Sequence, residues 1–118
     1  MIRATEVAFS AYPVTDISRA RAFYEGVLGL EPTVLAGGQW VEYYLGPHTL
    51  SIGSAPGWNP SSEGACVGLE VEDFDAAVAA LKEKNVRFKM EPFPTPVCRM
   101  AFVFDPDNNV ICIHKRNS

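Results

Sequence analysis

The sequence predicts an α+β fold made of two tandem modules, each contributing one strand, one helix and three further strands. Three observations predict it. Val14, Asp16, Ala20 and Ala22 recur as Val71, Asp73, Ala77 and Ala79 at one constant offset of 57 residues (71 − 14), and a duplicated unit fixes architecture more firmly than local propensity does. An aspartate stands before a helical stretch in each half, and three segments of strand composition follow each helix.

In the first half a short strand runs into Asp16, a residue suited to accept the free N–H groups that open a helix. Ile17, Ala20, Phe23, Tyr24, Val27 and Leu28 then recur at helical spacing, and Gly29 offers a left-handed stop. Residues 33–35, 39–45 and 49–52 have strand composition. The second half repeats the order. Asp73 caps, Phe74, Ala77, Val78 and Leu81 make the apolar stripe, Asn85 is the stop, and residues 86–90, 99–104 and 110–114 are the strands. Each helix is amphipathic and should cover one face of a sheet.

The Gly-Ser-Pro stretch over residues 53–64 reads as the link between modules, with Trp58 able to pack back onto the body. Asp105-Pro106-Asp107-Asn108-Asn109 has turn chemistry throughout and should join the last two strands as a hairpin. A chain of 118 residues is the size of one ordinary domain. The expectation is therefore a single domain over 1–118, with module one about 1–57 and module two about 62–118.

Composition excludes several functions. A net charge of −4 provides no positive field to attract phosphate backbones or anionic lipid, so neither nucleic acid nor membrane is an expected partner. With 47% hydrophobic and 20% charged residues the chain is not globally disordered. No apolar run approaches the roughly 20 residues that span a bilayer, and residues 1–6 lack a signal-peptide core, which makes the cytoplasm the expected location. Cys66, Cys98 and Cys112 cannot all pair within one chain, and none lies in a Cys-x-x-Cys arrangement, so reduced thiols are expected. No phosphate loop, nucleophile elbow or dinucleotide fingerprint is present, and no cofactor is expected.

The order Pro13-Val14-Thr15-Asp16, Ala22-Phe23-Tyr24, Val27-Leu28-Gly29-Leu30, Val71-Glu72-Asp73-Phe74-Asp75-Ala76-Ala77 and Phe104-Asp105-Pro106-Asp107-Asn108-Asn109 resembles the vicinal oxygen chelate superfamily. That superfamily includes glyoxalase I, bleomycin-resistance proteins and extradiol dioxygenases. The final turn commonly reads Asp-Pro-Asp-Gly there, and Asn108 is a mild departure because Asn tolerates the same backbone. The resemblance implies two βαβββ modules whose curled mixed sheets enclose a pocket, commonly completed in a homodimer. It also implies four inward strand positions that hold a divalent metal in the metal-dependent relatives. Those positions fall at Phe9, Ser51, Cys66 and Cys112, none of which is a usual His, Glu or Gln ligand. Two thiols alone leave an ion short of the roughly four donors of a zinc site, so the expectation is no metal.

Strand alternation selects further candidates, because residues two apart share a face. Trp40, Glu42 and Tyr44 make a pocket wall opposite Val41, Tyr43 and Leu45, although aromatics at this spacing are also ordinary sheet packing. From Cys66 the inward set continues through Gly68 to Glu70, and from Cys112 to His114. Ligand contacts are therefore assigned to Trp40, Glu42, Tyr44, Cys66 and Cys112, and acid–base work to Glu70 and His114. A carboxylate in an apolar cavity can be lifted toward neutrality, and histidine already titrates there. The plainer reading keeps Glu42 and Glu70 as solvated rim residues and His114 as a surface histidine. Cys98 reads best as a small buried hydrophobe after the proline-rich approach of residues 91–96, and His48 as a solvated turn residue.

The function expected is a metal-free binder of a small organic ligand, similar to the bleomycin-resistance branch. The alternative is a lyase, isomerase or dioxygenase that uses an unorthodox metal site or the acid–base pair Glu70 and His114. A third reading is an assembly protein with a vestigial pocket.

Overall fold

The computed structural model describes residues 1–117, which form two compact units, Met1–Pro60 and Ser61 onward. The first contains β1 (Ser10–Pro13), α1 (Ile17–Gly26), β2 (Pro32–Ala36), β3 (Trp40–Leu45) and β4 (His48–Gly53). The second contains β5 (Val67–Glu70), α2 (Phe74–Glu83), β6 (Phe88–Pro94), β7 (Cys98–Phe104) and β8 (Val110–Arg116). Each is the βαβββ module that the repeat predicts.

Each module carries one four-stranded mixed sheet, ordered β1-β4-β3-β2 and β5-β8-β7-β6. The first strand of each pairs parallel with the last, and the other pairs are antiparallel. Neither sheet closes into a barrel. The correspondence reaches single bonds: Val14 N–H donates to the Gly53 carbonyl at 2.8 Å, and Val71 N–H to the His114 carbonyl at 2.9 Å.

The helices begin as the caps predict. Asp16 accepts from the Arg19 N–H and Asp73 from the Ala76 N–H, both at 3.0 Å. Asn85, at φ +59°, ends α2, where its own N–H reaches the Lys82 carbonyl and the Val86 N–H reaches that of Leu81, the paired closure of a Schellman stop. That bond explains why β6 begins at Phe88 instead of residue 86: Val86 is held by the helix end. Regular α1 stops at Gly26, short of Gly29, where the Leu28 and Leu30 N–H groups turn back to the Phe23 and Tyr24 carbonyls.

One face of each sheet packs on its helix. In module one Tyr12, Val41, Tyr43, Leu50 and Ile52 are buried with Ala20, Phe23 and Tyr24 of α1. In module two Ala101, Val103, Ile111 and Ile113 are buried, as are Phe74 and Leu81 of α2. At about 1.5–3 kcal/mol for each large apolar side chain removed from water, these two faces supply most of the local driving force. The proline-rich segment is the edge strand β6, whose register against β7 slips at Met90 and again at Phe93. Pro92 and Pro94 cannot donate to a ladder and are confined to such an edge. The final turn is tied by Asp105, which accepts from the N–H groups of Asp107 and Asn109 and from Asn109 Nδ2, each at 2.8 Å. No helix among the described residues is long and apolar enough to cross a membrane.

Candidate functional site

The face of the module-one sheet turned away from α1 carries the aromatic candidates. Ladder register puts Glu42 opposite Ser51 and Trp40 opposite Gly53, and directly opposed residues share a face. Trp40 and Trp58 lie stacked with ring centroids 6.4 Å apart and an interplanar angle of 25°. Phe9 meets Trp40 edge-on at 5.4 Å and 87°. Both arrangements are favoured for ring quadrupoles, at about 0.5–1.5 kcal/mol per pair.

Gly53 makes this stack possible. A Cβ there would come within 2.7 Å of Trp40 Cε3 and 2.9 Å of Trp58 Cζ3, so the two indoles rest directly on the Gly53 backbone. The Trp40 indole is oriented by its Nε1–H, which donates to Glu42 Oε2 at 2.8 Å. Glu42 Oε1 has no partner among the described residues. Tyr44 extends the same face and is 54% exposed, and Phe9 is 51% exposed. Ser51 has no accessible surface, and its hydroxyl lacks a hydrogen-bond partner among the described residues.

The opposite face of the same strand holds a polar contact within the core. The Tyr43 hydroxyl donates to Glu25 Oε2 at 2.9 Å, and Arg21 Nε donates to the same oxygen at 2.7 Å. The Arg21 guanidinium is the main reason that the Glu25 carboxyl sits below the ordinary carboxylate range, and burial pushes the Tyr43 phenol well above its own.

In module two the alternation sends Cys112 and His114 to one face with Phe102 and Met100, their ladder partners. His114 Nδ1 lies 2.5 Å from Glu70 Oε1, and Glu70 Oε2 accepts the Arg116 N–H at 2.8 Å. Those two contacts, the backbone one first, lower the Glu70 carboxyl instead of lifting it toward neutrality. Glu70 is therefore held as an acceptor that orients the His114 ring, and Nε2 is the ring nitrogen left without a partner among the described residues. Position for position, His114 in module two corresponds to Gly53 in module one: one module fills the place with imidazole, and the other empties it for indole rings.

Cys66 is exposed and borders an open hollow of about 180 Å³ with Ser62, Gly64, Lys89, Met90, Phe102 and Val110. Cys112 is buried, and burial is the first cause that pushes its thiol up to about 11, with Cys66 and Cys98 adding to it. Cys98 is buried too, its sulfur 3.0 Å from Thr95 Oγ1, while neighbouring Arg99 turns the other way to Asp75. His48 lies exposed at the start of β4.

The donor set at the four metal positions of the resemblance does not fit a divalent ion. Phe9 has no donor atom, a serine hydroxyl is a weak ligand, and two cysteines alone fall short of the roughly four donors that a zinc site requires.

The family model described as the Glyoxalase/Bleomycin resistance protein/Dioxygenase superfamily matches residues 6–113. The chain belongs to this superfamily. Among solved superfamily-like structures, the chain is similar to TnmS3, an antibiotic binding protein from Streptomyces sp. CB03234, at 27% identity over 99% of this chain and 100% of that one, with a TM-score of 0.81. It also resembles a glyoxalase/dioxygenase from Nostoc punctiforme, at 20% identity over 100% of both chains and a TM-score of 0.81. A lactoylglutathione lyase from Agrobacterium tumefaciens matches at 17% identity over 96% and 95%, with a TM-score of 0.76. The last two likenesses show the superfamily fold alone. No curated protein matches the chain.

Three parts of the module-one face were not singled out by sequence reasoning: Trp58 as a stacking partner, Gly53 as the floor, and Phe9 as an aromatic edge. The first two had readable signals. A tryptophan is out of place in a Gly-Ser-Pro linker, and a glycine two residues beyond Ser51 on the same face marks a close approach.

Proposed function

We propose that the protein binds a flat, aromatic, antibiotic-like small molecule without a metal ion, and that the module-one face is its binding platform. The observation that carries this reading is the stacked Trp40–Trp58 pair seated on Gly53, with Phe9 at its edge. Surface-accessible indoles held in fixed orientation expose large apolar area at little entropic cost, which is how small-molecule sites gain affinity. The likeness to an antibiotic binding protein supports the same reading. So does the unsuitable donor set at the metal positions. Tyr44 extends the platform. A homodimer, in the cytoplasm, is part of the proposal.

Acridone, a neutral flat tricycle, provides a direct test. Wild-type protein should show acridone-dependent thermal stabilisation in the presence of a chelator, by the mass action of any ligand bound only to the native state. Trp40→Ala should lose most of that shift while remaining folded. Stabilisation that needs added metal, or that is equal in Trp40→Ala, would refute the platform.

A second reading is favoured by one observation, the Glu70–His114 pair. A carboxylate that fixes an imidazole through Nδ1 leaves Nε2 to accept a proton from a substrate. An enzyme working this way would lose turnover on His114→Ala and most of it on Glu70→Gln.

A further inference from the structure

In module two, Arg99 and Lys82 each meet both an aromatic ring and a carboxylate. The Arg99 guanidinium lies 4.5 Å from the centroid of the Phe74 ring, and its Nη2 donates to Asp75 Oδ1 at 2.8 Å. The Lys82 ammonium lies 5.3 Å from the Phe88 centroid and donates to Glu91 Oε1 at 2.7 Å. A ring face is the negative end of its quadrupole, so ring and carboxylate attract the same cation together.

Module one has such a ring and carboxylate without a cation from the chain. Trp40 Nε1–H donates to Glu42 Oε2 at 2.8 Å, and indole is the ring that attracts cations best. Glu42 makes no ion pair among the described residues. One N–H uses one of the roughly four lone-pair positions of a carboxylate, which leaves Glu42 the capacity to meet a charge. Strand alternation puts Glu42 between Trp40 and Tyr44 on one face of β3. Trp40 and Glu42 are half-buried and Tyr44 is exposed, so ring and carboxylate are both open to a ligand arriving from solvent. The net charge of −4 favours the approach of a cation.

We propose that the module-one face selects aromatic cations, flat ring systems carrying a positive nitrogen, through the Trp40–Glu42 pair. The ring stacks on the indoles, and its positive charge lies against the Glu42 carboxylate. This inference rests on the platform reading and adds the charge of the ligand and the residue that reads it. A neutral ring of the same shape keeps the stacking area and loses the attraction to the carboxylate.

10-Methylacridinium, a permanent cation, and acridine, neutral at about pH 8, share one tricycle and differ by a methyl group and the charge. Tryptophan fluorescence quenching at low salt should give at least about tenfold tighter binding of 10-methylacridinium than of acridine to wild type, the scale of a cation held by a ring and a carboxylate together. Glu42→Gln keeps an oxygen for the Trp40 N–H and should reduce the preference to about fourfold or less, the allowance for the extra methyl group. In wild type the preference should also shrink between about 20 and about 300 mM NaCl, as screening grows.

A smaller preference in wild type, one that survives Glu42→Gln, or one indifferent to salt would overturn cation selection; loss of acridine binding in Trp40→Ala would then leave the platform standing. Binding of neither compound, nor of acridone, would overturn both.

Discussion

Glu25 joins helix and sheet through a single side chain. It takes hydrogen bonds from Arg21 on its own helix and from the Tyr43 hydroxyl on β3, and its carboxyl is lowered from the ordinary 4.5 by Arg21 above all. Above pH 4.5 folded and unfolded chains both carry the ionised carboxylate, and its stabilisation is complete. As pH falls below 4.5 the unfolded chain takes up the proton first, so stability declines until the folded-state carboxyl is also protonated. Glu25→Gln should therefore cost about 1 kcal/mol near neutral pH, the scale of one partly buried hydrogen bond. That difference from wild type should shrink in acid. Urea titrations of both proteins between pH 7 and 3 check it; a difference that grows on acidification would contradict the sign. The position of Tyr43 on the helix-covered face was legible from strand alternation. The Glu25 contact was not, because a residue on an amphipathic helix and one 18 positions away meet only when the register of the intervening strands is fixed.

Among the elements, β4 joins the core to the platform. Leu50 and Ile52 bury toward the helix, while Ser51 and Gly53 face the aromatic side. Gly53 is not at a position of positive φ, so its requirement is space and not backbone conformation. Gly53→Ala should leave the strand intact but force both indoles aside, at about 1–3 kcal/mol for overpacking. It should also diminish the near-ultraviolet circular dichroism of the coupled tryptophans and weaken aromatic ligands. An unchanged aromatic spectrum in a folded Gly53→Ala protein would show that the stack does not rest on this residue. The equivalent strand β8 shows how the duplicated module diverged. His114 stands where Gly53 does, and it closes onto Glu70, so one module carries a stacking floor and the other an oriented imidazole. Element identities were readable because aspartate caps, a left-handed Asn85 and the final turn each have a local chemical cause. One boundary moved where a neighbour competed for the same backbone, the end of α2 taking Val86 from β6, and at its other end β6 runs through the proline stretch to Pro94.

For the whole molecule, the repeat made the α+β architecture of two βαβββ modules legible in the sequence, and superfamily membership follows from residues 6–113. The site was legible only in part. Period-two alternation put Trp40, Glu42 and Tyr44 on one face, but Trp58 comes from the linker, which has no periodic signature. At the four inward positions that the resemblance marks, Phe9, Ser51, Cys66 and Cys112 stand in place of the usual His, Glu or Gln ligands. Its net charge of −4 gives polyanions no field to follow. The most direct measurement is a calorimetric titration of acridone into chelator-treated wild-type protein and into Trp40→Ala. Saturable binding by the metal-free wild type, weakened at least about tenfold by the substitution through loss of stacking area, is the result expected. No binding until a divalent metal is restored would contradict the account and return the chain to the metal-dependent chemistry of its superfamily.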